Sequence, residues 1–299
     1  MALIDRPIFK MFLTGKAVSE KILYRVKAGQ IVPVYATVSP IILAGKPVGA
    51  VELFRDITLE NEVDKMKSEF ISIASHQLRT PLSTIKTYAH MLMEGYMGEI
   101  NKDQIRALKT ITNATNNMNE LIATLLNIAR IESGGIKVSR KLHNASQLVE
   151  EVVKELSLTA KEKTINITLR TPKRPIIIKT DSLIIKEVLS NLIGNAIKYT
   201  PRKGSVLVAV QNKRDKVLFT VQDTGLGIPL KSQDKIFGKF FRAKNVLQKE
   251  TSGTGLGLYV VRGLVLVLHG KIWFKSQEDT GSTFYVSLPK NDIHKIAVV

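Results

Sequence analysis

The sequence contains no cysteine, so disulfides, cysteine metal sites and cysteine nucleophiles are excluded, and a reducing compartment is permitted. It has no stretch of the ~18 consecutive apolar residues that a helical membrane span needs. The opening Met1-Ala2-Leu3-Ile4-Asp5-Arg6-Pro7 lacks the charged-then-apolar order of a signal peptide. On these grounds the chain is expected to be soluble and cytoplasmic, with membrane association left to any upstream sequence. There is no internal repeat and no low-complexity tract. Acidic residues are scarce: 26 Asp+Glu stand against 44 Lys+Arg, for a formal charge of +18. Such an excess can serve nucleic acid, an anionic membrane surface or an acidic partner. The basic residues are spread along the chain with no dense tract, so a solvated basic surface explains them equally well.

The length of 299 residues fits two or three structural units, and an apolar share of 44% is enough to build cores for them. Residues 1–60 read as short strands, with β-rich segments at 31–38 and 48–54 around the turn signal Gly45-Lys46-Pro47. Residues 61–135 read as two long helices broken at Gly95-Tyr96-Met97-Gly98. Val63, Met66, Phe70, Ile73 and Ala74, then Leu78, Leu82, Ile85, Tyr88, Ala89 and Leu92, mark the face of the first. Ile105, Leu108, Ile111, Thr115, Met118, Ile122, Leu125, Ala129 and Glu132 mark a heptad-like seam on the second. One antiparallel hairpin cannot cover that seam, so a four-helix dimer, or packing on the C-terminal region, is expected. Residues 136–290 mix strands at 165–169 and 176–178, a helix over 183–199 capped by Asp181, and two hairpins at 206–221 and 271–288. Residues 291–299 form a tail. The fold expected is α+β: a helical hairpin that becomes a four-helix bundle in a dimer, plus an α/β sandwich with a mixed, mostly antiparallel sheet.

Three features carry chemistry. His76 lies among Ser75, Gln77, Arg79 and Thr80 and should face solvent; a neutral imidazole is a good nucleophile there. Thr80 is one helical turn on, and Pro81 should kink the helix. Taken alone, a helical histidine is usually an ordinary surface residue. Second, Asp223-Thr224-Gly225-Leu226-Gly227-Ile228-Pro229 follows a strand, and Gly253-Thr254-Gly255-Leu256-Gly257-Leu258 opens an apolar helix. Glycines let backbone approach phosphate, and a helix N-terminus offers free N–H groups to an anion. Each loop by itself could be an ordinary tight turn. Third, Asn191, Asn195 and Lys198 share one face of an otherwise apolar helix. An amide oxygen can ligate Mg²⁺ and an ammonium can hold phosphate, although a solvent-facing stripe has the same pattern.

Together these stretches resemble the sensor histidine kinases of two-component signalling, over residues 62–290 and in that family's order. His76–Leu82 resembles the H box, Asn191–Pro201 the N box, Asp223–Pro229 the G1 box, Ile236–Ala243 the F box and Gly253–Leu258 the G2 box. The resemblance implies ATP and Mg²⁺ as cofactors and His76 as the phosphoacceptor. It implies a homodimer and transfer of the phosphoryl group to an aspartate on a separate response regulator. It further implies that Asp223 accepts the adenine amino group. Asn195 would hold Mg²⁺ beside Asn191, Lys198 and Tyr199 would contact phosphate and nucleoside, and Gly225 and Gly227 would shape the first loop. Gly253, Gly255, Leu256 and Gly257 would line the triphosphate. A mobile lid over about 230–252 would carry Arg242 toward the γ-phosphate.

Two positions depart from the family. Gln77 replaces the usual acidic general base and cannot take a proton at neutral pH, which leaves a phosphatase-biased or weakly active ATP-binding regulator as the alternative. Thr80, implied to orient water for dephosphorylation, is retained. His269-Gly270 stands where two glycines are common, a packing change with little functional weight. Residues 1–60 resemble the C-terminal part of a PAS sensor domain, as a fragment or as a remnant that promotes dimerisation and feeds a coiled coil around 61–67. Two other readings are weaker. A gyrase- or chaperone-like ATPase would need a carboxylate where Asn191 stands, and a nucleic-acid binder has only the charge in its favour.

Overall fold

The computed structural model describes residues 6–25, 29–243, 245–246 and 253–291. The lid residues 244 and 247–252 and nearly all of the tail, residues 292–299, lie outside the described residues. The chain divides into two compact units between Ser72 and Ile73. Among the described residues no helix is long and apolar enough to cross a membrane.

In the first unit a short helix, α1 (Pro7–Thr14), precedes β1 (Val18–Arg25), β2 (Ile31–Leu43) and β3 (Lys46–Asp56). The strands form an antiparallel sheet in the order β1-β2-β3. Neither α1 nor β1 was evident from the sequence. The first strand alternates polar and apolar residues only loosely, and its register comes from pairing with β2. Met11 of α1 is fully buried, as are Ala36 and Val38 of β2. At the end of β3 the Asp56 carboxylate accepts from the Thr58 N–H and hydroxyl and so starts the next helix.

That helix, α2 (Thr58–Met93), crosses from the first unit into the second, and Pro81 lies within it. The helix continues through Pro81, the position at which the sequence predicts a kink. The carbonyl left without its N–H is that of exposed Gln77, where water can satisfy it. Helix α3 (Lys102–Glu132) opens with a reciprocal cap: the Gln104 N–H donates to Asn101 Oδ1 and the Asn101 N–H to Gln104 Oε1. The two helices bury matching heptad lines, Ser75, Leu82 and Ala89 on α2 and Thr115, Ile122 and Ala129 on α3. A second line stays partly open on each, with Leu78 and Ile85 at 49% and 46% exposure and Ile111 and Met118 at 44% and 46%.

The rest of the second unit is an α/β sandwich. After β4 (Lys141–Asn144), Asn144 caps α4 (Ala145–Glu162), a helix whose apolar positions the sequence reading passed over. β5 (Asn166–Arg170) and β6 (Ile177–Thr180) lead to α5 (Ser182–Tyr199). Asp181 caps α5 as expected, accepting from the N–H groups of Leu183 and Ile184, and it also accepts from Ser139 N–H. Leu183 points out from the first turn at 77% exposure, away from the apolar face that the rest of the helix buries. β7 (Ser205–Asn212), β8 (Lys216–Asp223), β9 (Lys271–Gln277) and β10 (Gly281–Pro289) complete a five-stranded sheet of order β5-β7-β8-β10-β9. Only β5 and β7 run parallel. Between β8 and β9 lie the one-turn α6 (Leu230–Gln233) and then α7 (Gly257–Val267). The core is a single cluster between one sheet face and α4, α5 and α7, with Ile193, Val206, Val261 and Phe219 at its centre, and Ile128 of α3 joins it.

Candidate functional site

Helix α5 supplies the first wall of the site. Its Leu189, Leu192, Ile193, Ala196 and Ile197 are buried, which fixes the rotation of the helix and leaves Asn191, Asn195, Lys198 and Tyr199 half-buried along one edge. The predicted polar stripe is therefore present, and its neighbours are the glycine loops. A Cβ at Gly257 would lie 3.1 Å from Asn191 Oδ1, and one at Gly253 would lie 2.9 Å from Lys198 Nζ and 3.8 Å from the Tyr199 hydroxyl. The absence of side chains at these two positions lets the loop lie against the amide and the ammonium.

The second wall is the first glycine loop. The Asp223 carboxyl is buried at the end of β8 and accepts from Gly225 N–H at 2.8 Å and Ser282 N–H at 3.2 Å. Burial pushes its pKa above the ordinary aspartate value, and the two N–H groups work against that shift. The loop hangs from α5, because Leu226 N–H donates to the Tyr199 carbonyl, and a Cβ at Gly225 would fall 2.6 Å from that same oxygen. Gly227 has a φ of +60°, and its missing Cβ would lie 1.9 Å from the Gln277 carbonyl. No other residue fits there without displacing β9. Asn245, from the lid region, donates to the Gly227 carbonyl at 3.2 Å.

The third element is the N-terminus of α7. Its first turn has no side-chain cap, so its N–H groups remain open to an anion. Leu256 beneath it is fully buried and its N–H donates to Thr254 Oγ1 at 3.2 Å. Gly255, at φ +70°, lies against the backbone of Phe240 and Phe241, where a Cβ would be 2.7 Å from the Phe240 carbonyl carbon. Arg242 follows that segment and is half-buried.

His76 and Thr80 sit apart from these loops, on exposed turns of α2. They line a shallow groove with Arg79, Ser83, Thr84 and Tyr88. Thus Asn191, Lys198, Tyr199, Gly253 and Gly257 come together, as do Tyr199, Asp223 and Gly225. No described contact joins His76 to either group.

Sequence reasoning missed two sets of supporting residues. Lys163, just past α4, donates from Nζ to the Ile197 carbonyl at 3.0 Å and to the Lys198 carbonyl, so it caps the end of α5 from which the first loop hangs. Its signal, a lysine 35 residues before its partner, has no local pattern. The other set joins the end of α3 to the sandwich. Asn127 donates to Glu187, Ile131 packs on Gly263, and Glu132 takes both the Tyr259 hydroxyl, at 3.0 Å, and the Lys239 ammonium. Burial raises the Glu187 pKa, and nearby Arg130 opposes the shift.

Comparison with known proteins points the same way as the geometry. Residues 66–134 match the family model described as His Kinase A (phospho-acceptor) domain. Residues 180–292 match the model described as histidine kinase-, DNA gyrase B-, and HSP90-like ATPase. Sensor histidine kinase WalK of Bacillus subtilis is 32% identical over 82% of this chain and 40% of its own length. Sensor protein SrrB of Staphylococcus aureus is 29% identical over 82% of this chain and 42% of its own. The chain thus spans about two fifths of the length of these relatives. Among solved structures, full-length ShkA in complex with AMPPNP superposes with a TM-score of 0.63 at 26% identity, covering 74% of this chain and 45% of ShkA. The Acinetobacter baumannii histidine kinase AdeS shares the fold at 22% identity, with a TM-score of 0.52 over 73% of this chain and 98% of AdeS.

Proposed function

Since the chain belongs to the sensor histidine kinases of two-component systems, we propose that it binds ATP between α5 and the two glycine loops and phosphorylates its own His76. The observation that carries this reading is the convergence of Asn191 on Gly257 and of Lys198 on Gly253. An amide oxygen, an ammonium and open helix N–H groups around bare backbone form a cradle suited to a polyphosphate.

In this reading Asp223 accepts the adenine amino group, and burial excludes competing water from it. Gly225 and Gly227 admit the base, and Tyr199 borders the nucleoside. Lys198 and the N–H groups of Gly255 and Gly257 hold phosphate oxygens, Leu256 supports the turn from beneath with its N–H on Thr254 Oγ1, and Arg242 neutralises charge on the transferring group. Among the described residues no cluster of three His, Asp or Glu could hold a metal by itself. Amide ligands suit Mg²⁺, which takes much of its coordination from phosphate and water, so Asn195 with Asn191 fits that ion. When bound, it would offset the triphosphate charge. A ring nitrogen of His76 attacks the γ-phosphorus, the bond to the β,γ-bridging oxygen breaks, ADP departs with that electron pair, and the imidazole proton passes to solvent. Gln77 cannot accept that proton. The same pair, Gln77 and Thr80, supports a second reading in which the chain mainly binds ATP and discharges a phosphorylated partner.

The half-open heptad lines of α2 and α3 support a homodimer in which a second hairpin covers Leu78, Ile85, Ile111 and Met118. We assign the phosphoryl acceptor to an aspartate of a response regulator, and residues 1–60 to a partial PAS-like segment. Residues 61–135 are then the phosphotransfer hairpin and 136–290 the ATP-binding domain. Incubation with γ-labelled ATP tests the central assignment. Acid-labile label on the parent and none on His76→Ala is expected. Equal label on both would refute it, and ATP binding without label on either would select the second reading.

A further inference from the structure

The end of α3 touches the segment that backs the second glycine loop. Glu132 of α3 forms an ion pair with Lys239 and accepts the Tyr259 hydroxyl at 3.0 Å. The Lys239 ammonium also lies 5.2 Å from the Tyr259 ring centre. The next residue, Phe240, has a φ of +59°, in the left-handed region that a bulky side chain avoids. Its side chain is 67% exposed, so packing of the ring does not explain the conformation. The Phe240 backbone is in turn the surface on which Gly255 rests, close enough that a Cβ at Gly255 would lie 2.7 Å from the Phe240 carbonyl carbon. A line of direct contacts therefore runs from Glu132 through Lys239 and Phe240 to Gly255. Ile131 seats the same end of α3 on Gly263, where a Cβ would meet its side chain at 2.7 Å.

We propose that Glu132 is a positioning residue for the nucleotide loop: by holding Lys239 it keeps Phe240 in its left-handed conformation and so fixes the seat of Gly255. The end of the phosphotransfer hairpin and the occupancy of the ATP site are then energetically coupled. Coupling of this kind is reciprocal, so whatever displaces the end of α3 weakens nucleotide binding, and a bound nucleotide steadies α3.

The test uses the full chain and two readouts. In nucleotide-free protein, Glu132→Gln should raise amide hydrogen exchange at residues 254–258 while leaving the β7–β8 ladder unchanged. The same variant should weaken Mg²⁺-ATP binding about tenfold, within the range common for coupled sites. The charge-swapped pair Glu132→Lys with Lys239→Glu should recover most of both. In a Phe240→Asn background, where the residue tolerates positive φ, Glu132→Gln should change neither readout by more than about twofold. Unchanged exchange at 254–258 in Glu132→Gln would overturn the inference. So would an undiminished effect in the Phe240→Asn background, because the route through Phe240 would be wrong. The inference rests on the nucleotide reading for its binding readout only. If the parent itself fails to bind ATP, that reading falls, and the exchange measurement still decides whether Glu132 controls the loop.

Discussion

Asp223 illustrates how one residue serves fold and chemistry at once. Its buried carboxyl accepts two backbone N–H groups, from Gly225 and Ser282, and so ties the first glycine loop to the start of β10. Because its pKa is raised in the folded chain, the folded state binds its proton more tightly than the unfolded state does. The associated stability is therefore greatest at acid pH and falls as pH climbs through the raised value. Asp223→Asn keeps an oxygen for both N–H groups and cannot ionise. Urea titrations should show its stability relative to the parent improving from acid to neutral pH. Its ATP affinity should nevertheless fall by about tenfold or more, since the new amide N–H₂ faces a donor on adenine. Gly227 is a second case. Its φ of +60° and the 1.9 Å approach of the Gln277 carbonyl leave no room for a methyl group. Gly227→Ala should lower thermal stability by about 3 kcal/mol, through strain and overpacking together. His269 runs the other way: it holds φ +57° at the end of α7, where glycine is at ease. His269→Gly should raise unfolding free energy by roughly 0.5–1 kcal/mol, so the departure from two glycines bears on stability while leaving the nucleotide walls alone.

At the scale of elements, the parts legible in the sequence were those with a local period or a punctuating residue. The apolar face of α5, the Asp181 cap, both hairpins of the sheet and the long helices all announce themselves within a few residues. What escaped were the short α1, the loosely alternating β1, α4, whose apolar face is clear but carries no motif, and contacts between distant segments. Lys163 capping α5 and Glu132 reaching Lys239 arise from tertiary packing alone. The asparagine face and the glycine loops were each ambiguous alone, and it was their order along the chain that pointed to one site. Pro81 is accommodated inside one continuous helix because the carbonyl it frees belongs to exposed Gln77. The cap of α3 gives a direct element-scale prediction. Asn101→Ala removes half of a reciprocal pair, and unfolding in urea should show a loss of about 1 kcal/mol.

For the whole molecule, the proposed dimer rests on the second heptad lines. Leu78 and Ile85 on α2 and Ile111 and Met118 on α3 remain nearly half exposed in a single chain, although the lines beside them are buried. A second copy that buries them forms a four-helix core, and charge placed there would oppose assembly. Ile85→Asp should shift the sedimentation coefficient from dimer to monomer while leaving ATP binding unchanged, because the proposed nucleotide walls lie in the sandwich. Nucleotide binding of the proposed kind requires the two glycine loops and one face of α5 to act as a single cradle. Amide hydrogen exchange with and without Mg²⁺-ATP tests this most directly. Concerted protection of residues 224–228 and 253–258, saturating at the same nucleotide concentration, is the predicted result. Protection of one loop alone, or of neither, would contradict it.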